Sequence, residues 1–365
     1  MKILLLAGEE SGEIYAGGIR RRLSGHEVRG YGDYGFAVSD LAVFGFAAVL
    51  RKIFFFMRVK RTMERAIDEW RPDAVCTVDY PGMNLKLAAY AKRRGIRAVH
   101  VVCPQVWAWR RGRIPAIEAA LDRLCCFFPF EPGLFRPGFA TFVGHPLAAE
   151  LAQDGATRRG GRQDRPLVAL LPGSRTGEIS RILPTLLKAA DMVPEAEFAV
   201  PAANDAAFAL IERIVRKSGC KAAVRVERGG ARDVLRAAAC AAVASGTATL
   251  EATLCGCPTV LVYRVNPLLA AFARRVIDGT KYIGLANIVW ERCGGSEKEP
   301  PMPELLQENF TAAAVSGVLK GWVSDPAART AAAGRLASVK ALLGSGVDAL
   351  DAVVRELGPA DRGQP

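Results

Sequence analysis

Residues 1–13 read MKILLLAGEESGE and residues 166–178 read PLVALLPGSRTGE, each a short apolar strand running into a Gly/Ser loop and then a helix. Two such openings predict two Rossmann-like, doubly wound α/β domains. The two loops differ in chemistry. Gly8-Glu9-Glu10-Ser11-Gly12 is acidic, whereas Pro172-Gly173-Ser174-Arg175 is cationic and suited to a phosphate at a helix N-terminus. The first expectation is one diphosphate-bearing ligand bound in a cleft between two domains.

Outward from these stretches the pattern continues. Strands are expected at 2–7, 73–79, 97–103, 123–128 and 140–143, with helices near 12–24, 57–70 and 84–94. A second series follows, with strands near 167–171, 196–201, 222–227, 241–245 and 259–263 alternating with helices near 178–192, 205–217, 232–239 and 247–255. Both series predict parallel sheets. Between them residues 152–165 (AQDGATRRGGRQDR) lose apolar periodicity and read as a linker. Ala-rich helices are expected at 310–322, 326–344 and 346–357. The predicted domains are therefore 1–155 and 156–345, with 346–365 a terminal helix and polar tail.

Composition narrows the function. The 365 residues are 50% hydrophobic, enough for two cores, and no apolar run approaches the roughly 20 residues of a membrane span. Met1-Lys2 leads directly into a strand without a secretory pattern, so a cytoplasmic location is expected. Nine cysteines, an odd number, lie mostly within apolar segments, and neither Cys125-Cys126 nor Cys255-Gly256-Cys257 has a matching second pair, so reduced core thiols are expected and no metal site. The net charge of +12 points to an acidic partner: nucleic acid, a phosphorylated substrate or an anionic membrane.

Candidate chemistry lies just after the strands. Asp79 ends Ala74-Val75-Cys76-Thr77-Val78, where a carboxylate can take a proton from a substrate hydroxyl or can merely cap the turn or the helix near Asn84. Glu9, Glu10, Ser11 and Glu13 exceed what capping needs and suit sugar hydroxyls better than a diphosphate. Gly173, Ser174 and Arg175 form either a plain strand-to-helix turn or, with Ser245, Gly246 and Thr247 at a later helix start, a nucleotide-diphosphate site in which Glu251 suits the ribose diol. Residues 100–113 (HVVCPQVWAWRRGR) combine Trp107 and Trp109 with Arg110, Arg111 and Arg113, either core anchors beside solvated arginines or a phosphate- or headgroup-facing loop. Residues 51–70 (RKIFFFMRVKRTMERAIDEW) carry a core stripe of Phe56, Val59, Met63, Ala66, Ile67 and Trp70. A second stripe of Arg51, Phe54, Arg58, Arg61 and Arg65, beside Phe55, reads as an interfacial membrane face or as arginines over a buried Phe cluster. Nucleic-acid binding ranks below the membrane, because the basic patches lack aromatic interleaving.

The motifs AGEESGE (7–13), VDYPGMN (78–84), CPQVWAWR (103–110), FVGHPL (142–147), LPGSRTGEI (171–179), SGTATLE (245–251) and PELLQ (303–307) run in an order that resembles lipid-A-disaccharide synthase over nearly the whole chain. The resemblance implies a GT-B fold and a metal-independent, cofactor-free inverting transfer. In it 2,3-diacylglucosamine moves from UDP to the 6-hydroxyl of 2,3-diacylglucosamine 1-phosphate, on the cytoplasmic face of the inner membrane. It implies Asp79 as base, with Ser11 and Glu13 as further catalytic candidates. Glu9, Asn84, Trp107 and Arg110 are then candidates for substrate contact, and Arg175, Glu251 and Asn287 for the UDP site. Glu13 stands where the family usually has Asp, Ala48 where it has Glu, and Leu285-Ala286-Asn287 where it has Leu-Pro-Asn. The competing readings are another UDP-sugar enzyme of the same fold, such as a 2-epimerase, and a non-enzymatic basic membrane binder.

Overall fold

A computed structural model describes residues 1–41, 53–153, 165–266, 279–295, 299–344 and 346–358, with the side chains of Glu10, Ser11, Val38, Ser39, Ala152 and Gln153 outside that set. Ala48, Arg51 and most of the expected linker therefore lie outside the described residues.

The first sheet contains β1 (Lys2–Ala7), β2 (Glu27–Arg29), β3 (Ala74–Val78), β4 (Arg97–Val101), β5 (Arg123–Cys126) and β6 (Ala140–Phe142) in the order β2-β1-β3-β4-β5-β6. The second contains β7 (Leu167–Leu171), β8 (Glu197–Ala202), β9 (Val224–Arg228), β10 (Cys240–Ala244), β11 (Thr259–Tyr263) and β12 (Glu304–Leu306) in the order β12-β11-β10-β7-β8-β9. Every pairing is parallel, for example Leu5↔Cys76 and Ala242↔Leu170. Helices cover both faces of such sheets, so the central strands are buried on both sides. β3, β7 and β10 are buried at every position. The expected pair of doubly wound α/β folds is present.

Six described strands and α-helices fall outside the expected pattern: β2, β12, and the helices Val38–Leu41, Ile114–Ala120, Pro146–Gln153 and Leu285–Arg292. The two strands are three-residue sheet edges, Glu-Val-Arg and Glu-Leu-Leu, too short to show a period.

The chain divides into two compact units, 150–342 and a second made of 1–149 with the chain from 343 onward. This differs from the expected three-part division. The helix Ala349–Leu357 buries Val353 and Leu357 in the core of the first sheet, beside Ile19 and Leu23. Arg22 fastens its start, with Nη2 3.0 Å from Asp348 and Nε 2.7 Å from Asp351. The apolar stripe of this terminal helix determines where it lies.

All nine cysteines are free thiols, six of them buried. Burial pushes the Cys76 and Cys240 thiols up to about 12, so both behave as small core residues.

Two histidines are also buried. His100 on β4 places Nδ1 2.7 Å from Thr77 Oγ1, and His145 Nδ1 accepts the Leu147 N–H at 3.3 Å. Burial lowers their pKa values to about 3 and about 4. Both are neutral in the fold, whereas in the unfolded chain each binds a proton below about pH 6.5. Stability is therefore complete above that value and falls as pH drops toward 4, by up to ~1.4 kcal/mol per pH unit for each histidine. Urea unfolding at pH 7 and pH 5 should show this loss, and His100→Gln should flatten it. An unchanged slope in the variant would contradict the assignment.

Candidate active site

Strand order locates two crevices. In the first sheet the chain leaves β1 for β2 on one side and reaches β3 on the other, so the loops after β1 and β3 diverge. In the second, β7 leads to β8 on one side while β10 lies on the other, so the loops after β7 and β10 diverge. Ligands of open α/β sheets bind outside the carboxyl ends of the strands at such reversals. The four loops are 8–13, 79–84, 172–178 and 245–251.

In the second unit, Gly173, Ser174, Arg175, Ser245, Gly246, Thr247 and Glu251 line one pocket of about 670 Å³, within the size range of small-molecule sites. The helices Thr176–Asp191 and Thr247–Leu254 begin there, and neither start has a side-chain cap. Their first-turn N–H groups and dipoles favour an anion. Arg175 is two-thirds exposed, with Nη1 3.2 Å from Glu178 Oε1. Gly173 has φ +104°, a backbone angle that demands glycine. Glu251 accepts a bond of 3.0 Å from Arg232 Nε. Arg232 also lines the pocket, a position that sequence reasoning missed although Gly229-Gly230 before it marks a post-strand turn.

Asn287 does not belong to this pocket. It is fully buried, donating to Met302 O at 2.8 Å and Glu304 Oε1 at 2.9 Å and accepting the Met302 N–H at 3.0 Å. Glu304 also accepts the N–H groups of Ile283 and Gly284. The Asn287 amide is spent holding β12 to the helix Leu285–Arg292, which corrects the expectation of a nucleotide contact.

In the first unit, Asp79 and Tyr80 follow β3 with φ of +50° and +51°, two consecutive left-handed non-glycine residues. Such backbone costs about 1 kcal/mol or more per residue and clusters at functional sites. Three bonds hold it: Asp79 N–H donates to Val101 O at 2.9 Å, Asn84 Nδ2 donates to Asp79 O at 2.8 Å, and Asp79 Oδ1 accepts the Tyr80 N–H at 2.8 Å. The acidic loop lies against this turn. A Cβ on Gly8 would fall 2.3 Å from the Tyr80 ring, and one on Gly12 3.7 Å from Asp79 Cβ. Glu9, at the N-cap of the helix Glu10–Arg22, adds its charge to burial in raising the Tyr80 pKa. Glu13 is exposed and lines a separate pocket of about 410 Å³ with Arg20, Tyr31 and Asp33.

Two further expectations in this unit are corrected. Asn84 is fully buried, donating also to Leu6 O and Val78 O and accepting Tyr31 Oη–H at 2.9 Å. It positions Asp79 instead of meeting substrate. Trp107 is buried, and its Nε1–H donates to Glu131 Oε1 at 3.1 Å. It anchors the loop whose next residues, Trp109 and Arg110, are half-buried and exposed, with the Arg110 guanidinium 4.5 Å from the Trp109 ring centroid. Val102, just before this loop, has φ +74°, a strained value for a β-branched residue.

Among the described residues one cluster has metal-ligand composition: Cys103, Cys126 and Glu131, with ligand atoms within 4.8 Å of one another. Its two thiols bond to each other, and Cys103 alone bonds to Glu131, which also accepts from Trp107 and Phe128. Burial raises the Glu131 pKa to about 8.

On the helix Ile53–Trp70, Phe54 is 78% exposed, and Arg58, Arg61 and Arg65 are exposed beside Ile53 and Met57. Phe55, also expected at a membrane, does not share this exposure. It is half-buried against Phe36 and Phe56, at ring distances of 6.0 and 5.6 Å.

This architecture is that of the two-domain GT-B glycosyltransferases. It is similar to MurG of Acinetobacter baumannii (TM-score 0.58, 11% identity, 98% of each chain). It is equally similar to a UDP-GlcNAc 2-epimerase of Neisseria meningitidis solved with UDP-GlcNAc (TM-score 0.60, 9% identity, 98% of this chain and 99% of that one). The sequence is more specific: a family profile described as lipid-A-disaccharide synthetase matches residues 3–332. Lipid-A-disaccharide synthases of Chromohalobacter salexigens and Syntrophus aciditrophicus are 33% and 35% identical, covering 97% and 94% of this chain and 97% and 93% of theirs. The chain belongs to the lipid-A-disaccharide synthetase family and is a glycosyltransferase.

The corrected role of Asn84 has a measurable consequence. Asn84→Ala leaves the carbonyls of Leu6, Val78 and Asp79 without their side-chain donor and should cost about 2–3 kcal/mol. Denaturant unfolding reads this loss. A change below about 0.5 kcal/mol, with transferase activity abolished, would restore Asn84 to substrate contact.

Proposed function

We propose that this glycosyltransferase moves 2,3-diacylglucosamine from UDP to the 6-hydroxyl of 2,3-diacylglucosamine 1-phosphate. The acceptor oxygen forms a bond to the donor's anomeric carbon as the bond from that carbon to the diphosphate oxygen breaks. Inversion gives a β-1,6 disaccharide 1-phosphate and UDP. Asp79 takes the proton from the acceptor hydroxyl, a contribution of about 10² to 10⁴ in rate. The clasp of Val101 and Asn84 holds its backbone while Tyr80 N–H orients the carboxylate. Glu9 serves sugar hydroxyls beside it, while Glu13 lines the separate pocket of about 410 Å³. Arg175 and the two uncapped helix starts stabilise the leaving diphosphate, and Glu251 takes the ribose diol.

The observation that carries this reading is the 670 Å³ pocket at the β7/β10 reversal, where two helix N-termini and a cation meet a carboxylate suited to a diol. The membership of the chain in its family supports the choice of substrates, and the UDP-GlcNAc bound to the structurally similar Neisseria epimerase supports the nucleotide. Incubation with both acylated substrates should release UDP and disaccharide in equal amounts. Asp79→Asn should lower transfer at least a hundredfold with UDP affinity within about twofold of the native protein. Near-normal turnover by that variant would refute Asp79 as the base.

Both substrates carry acyl chains, and we propose that the helix Ile53–Trp70 meets an anionic membrane surface. Among the described residues no helix is long and apolar enough to cross a membrane. Ile53, Phe54 and Met57 instead form an exposed apolar patch beside Arg58, Arg61 and Arg65. Phe54→Ser should weaken binding to vesicles containing anionic phospholipid about tenfold without changing the melting temperature. Unchanged partitioning would remove this helix from membrane contact.

A further inference from the structure

Arg232 is the second residue of a short helix, Ala231–Ala237, after the Gly229-Gly230 turn, and its guanidinium lies between two carboxylates of the second unit. Nη1 and Nη2 face Glu150 Oε1 and Oε2 at 2.8 and 3.4 Å, and Nε lies 3.0 Å from Glu251 Oε1. The forked pairing to Glu150 fixes the plane of the guanidinium, because two parallel N–H bonds define an orientation that one cannot. With that plane fixed, the Nε–H is aimed at Glu251. Arg232 and Glu251 are both largely covered, with side-chain exposures of 27% and 19%, and both line the pocket.

A carboxylate that accepts two hydroxyls of a vicinal diol must present its oxygens in one orientation. A glutamate side chain turns about three bonds, and ordering it before the ligand arrives avoids that loss on binding. The Arg232 charge, by contrast, is already shared with two carboxylates, which makes this side of the pocket poor for a diphosphate.

We infer that Arg232 is a positioning residue that holds Glu251 for the ribose diol, with Glu150 as its brace. The inference rests on the reading of this pocket as a UDP site and adds the device that gives it selectivity for a ribonucleotide. Lysine cannot replace it, since a single ammonium cannot engage both carboxylates in this geometry.

The test is calorimetric binding of UDP and of 2′-deoxy-UDP to the full chain and its variants. The native protein should bind UDP about tenfold more tightly than 2′-deoxy-UDP, and Glu251→Gln should abolish that preference. Arg232→Lys and Arg232→Gln should each weaken UDP binding about five- to tenfold while leaving 2′-deoxy-UDP within about twofold. Combined with Glu251→Gln, either should add nothing further. An equal loss for both nucleotides in the Arg232 variants would overturn the inference, because it signals a diphosphate contact or general damage to the pocket. A native-like preference retained by Glu251→Gln would instead overturn the ribose reading of Glu251, and the inference with it.

Discussion

Parallel strands joined by right-handed crossovers can open a crevice only where strand order reverses, and the chemistry of this chain depends on that constraint. β1 and β7 each begin a sheet in its interior, so each has a neighbour added on both sides. At both reversals the flanking loops part and leave helix starts facing open space. Each sheet reverses once, after β2 in the first and after β9 in the second, and the residues in the loops give the two crevices opposite character.

In the second unit the crevice is built for negative charge. Two helix starts without caps and Arg175 line it, beside a glycine that no other residue can replace without strain. In the first unit the crevice carries Glu9 and Asp79 and would repel a diphosphate. Its distinguishing feature is strained backbone at Asp79 and Tyr80, held by a fully buried asparagine that bonds to three carbonyls. Strain that a fold maintains with this many bonds marks a carboxylate whose direction matters.

The sheets were legible in the sequence because buried parallel strands are uninterrupted apolar runs, and 2–7 and 167–171 coincide with β1 and β7 residue for residue. β2 and β12 were not, being three residues long and of mixed polarity. Motifs marked Asn84, Trp107 and Asn287 as important without showing which way each side chain faces. All three turn inward, onto backbone carbonyls or a buried carboxylate. Phe54 and Phe55 are adjacent, and only helix phase against the Phe36 ring separates the exposed one from the packed one. Arg232 escaped notice because its partners lie 19 and 82 residues away, beyond any local pattern.

The central claim is a division of labour, with the nucleotide in the β7/β10 crevice and the acceptor chemistry in the β1/β3 crevice. Backbone amide resonances recorded during titration of the full chain with UDP alone test it most directly. The account predicts shifts concentrated at Gly173, Ser174, Gly246 and Thr247, with residues 8–13 and 79–84 unmoved. Shifts confined to the Asp79 turn and the acidic loop would contradict it.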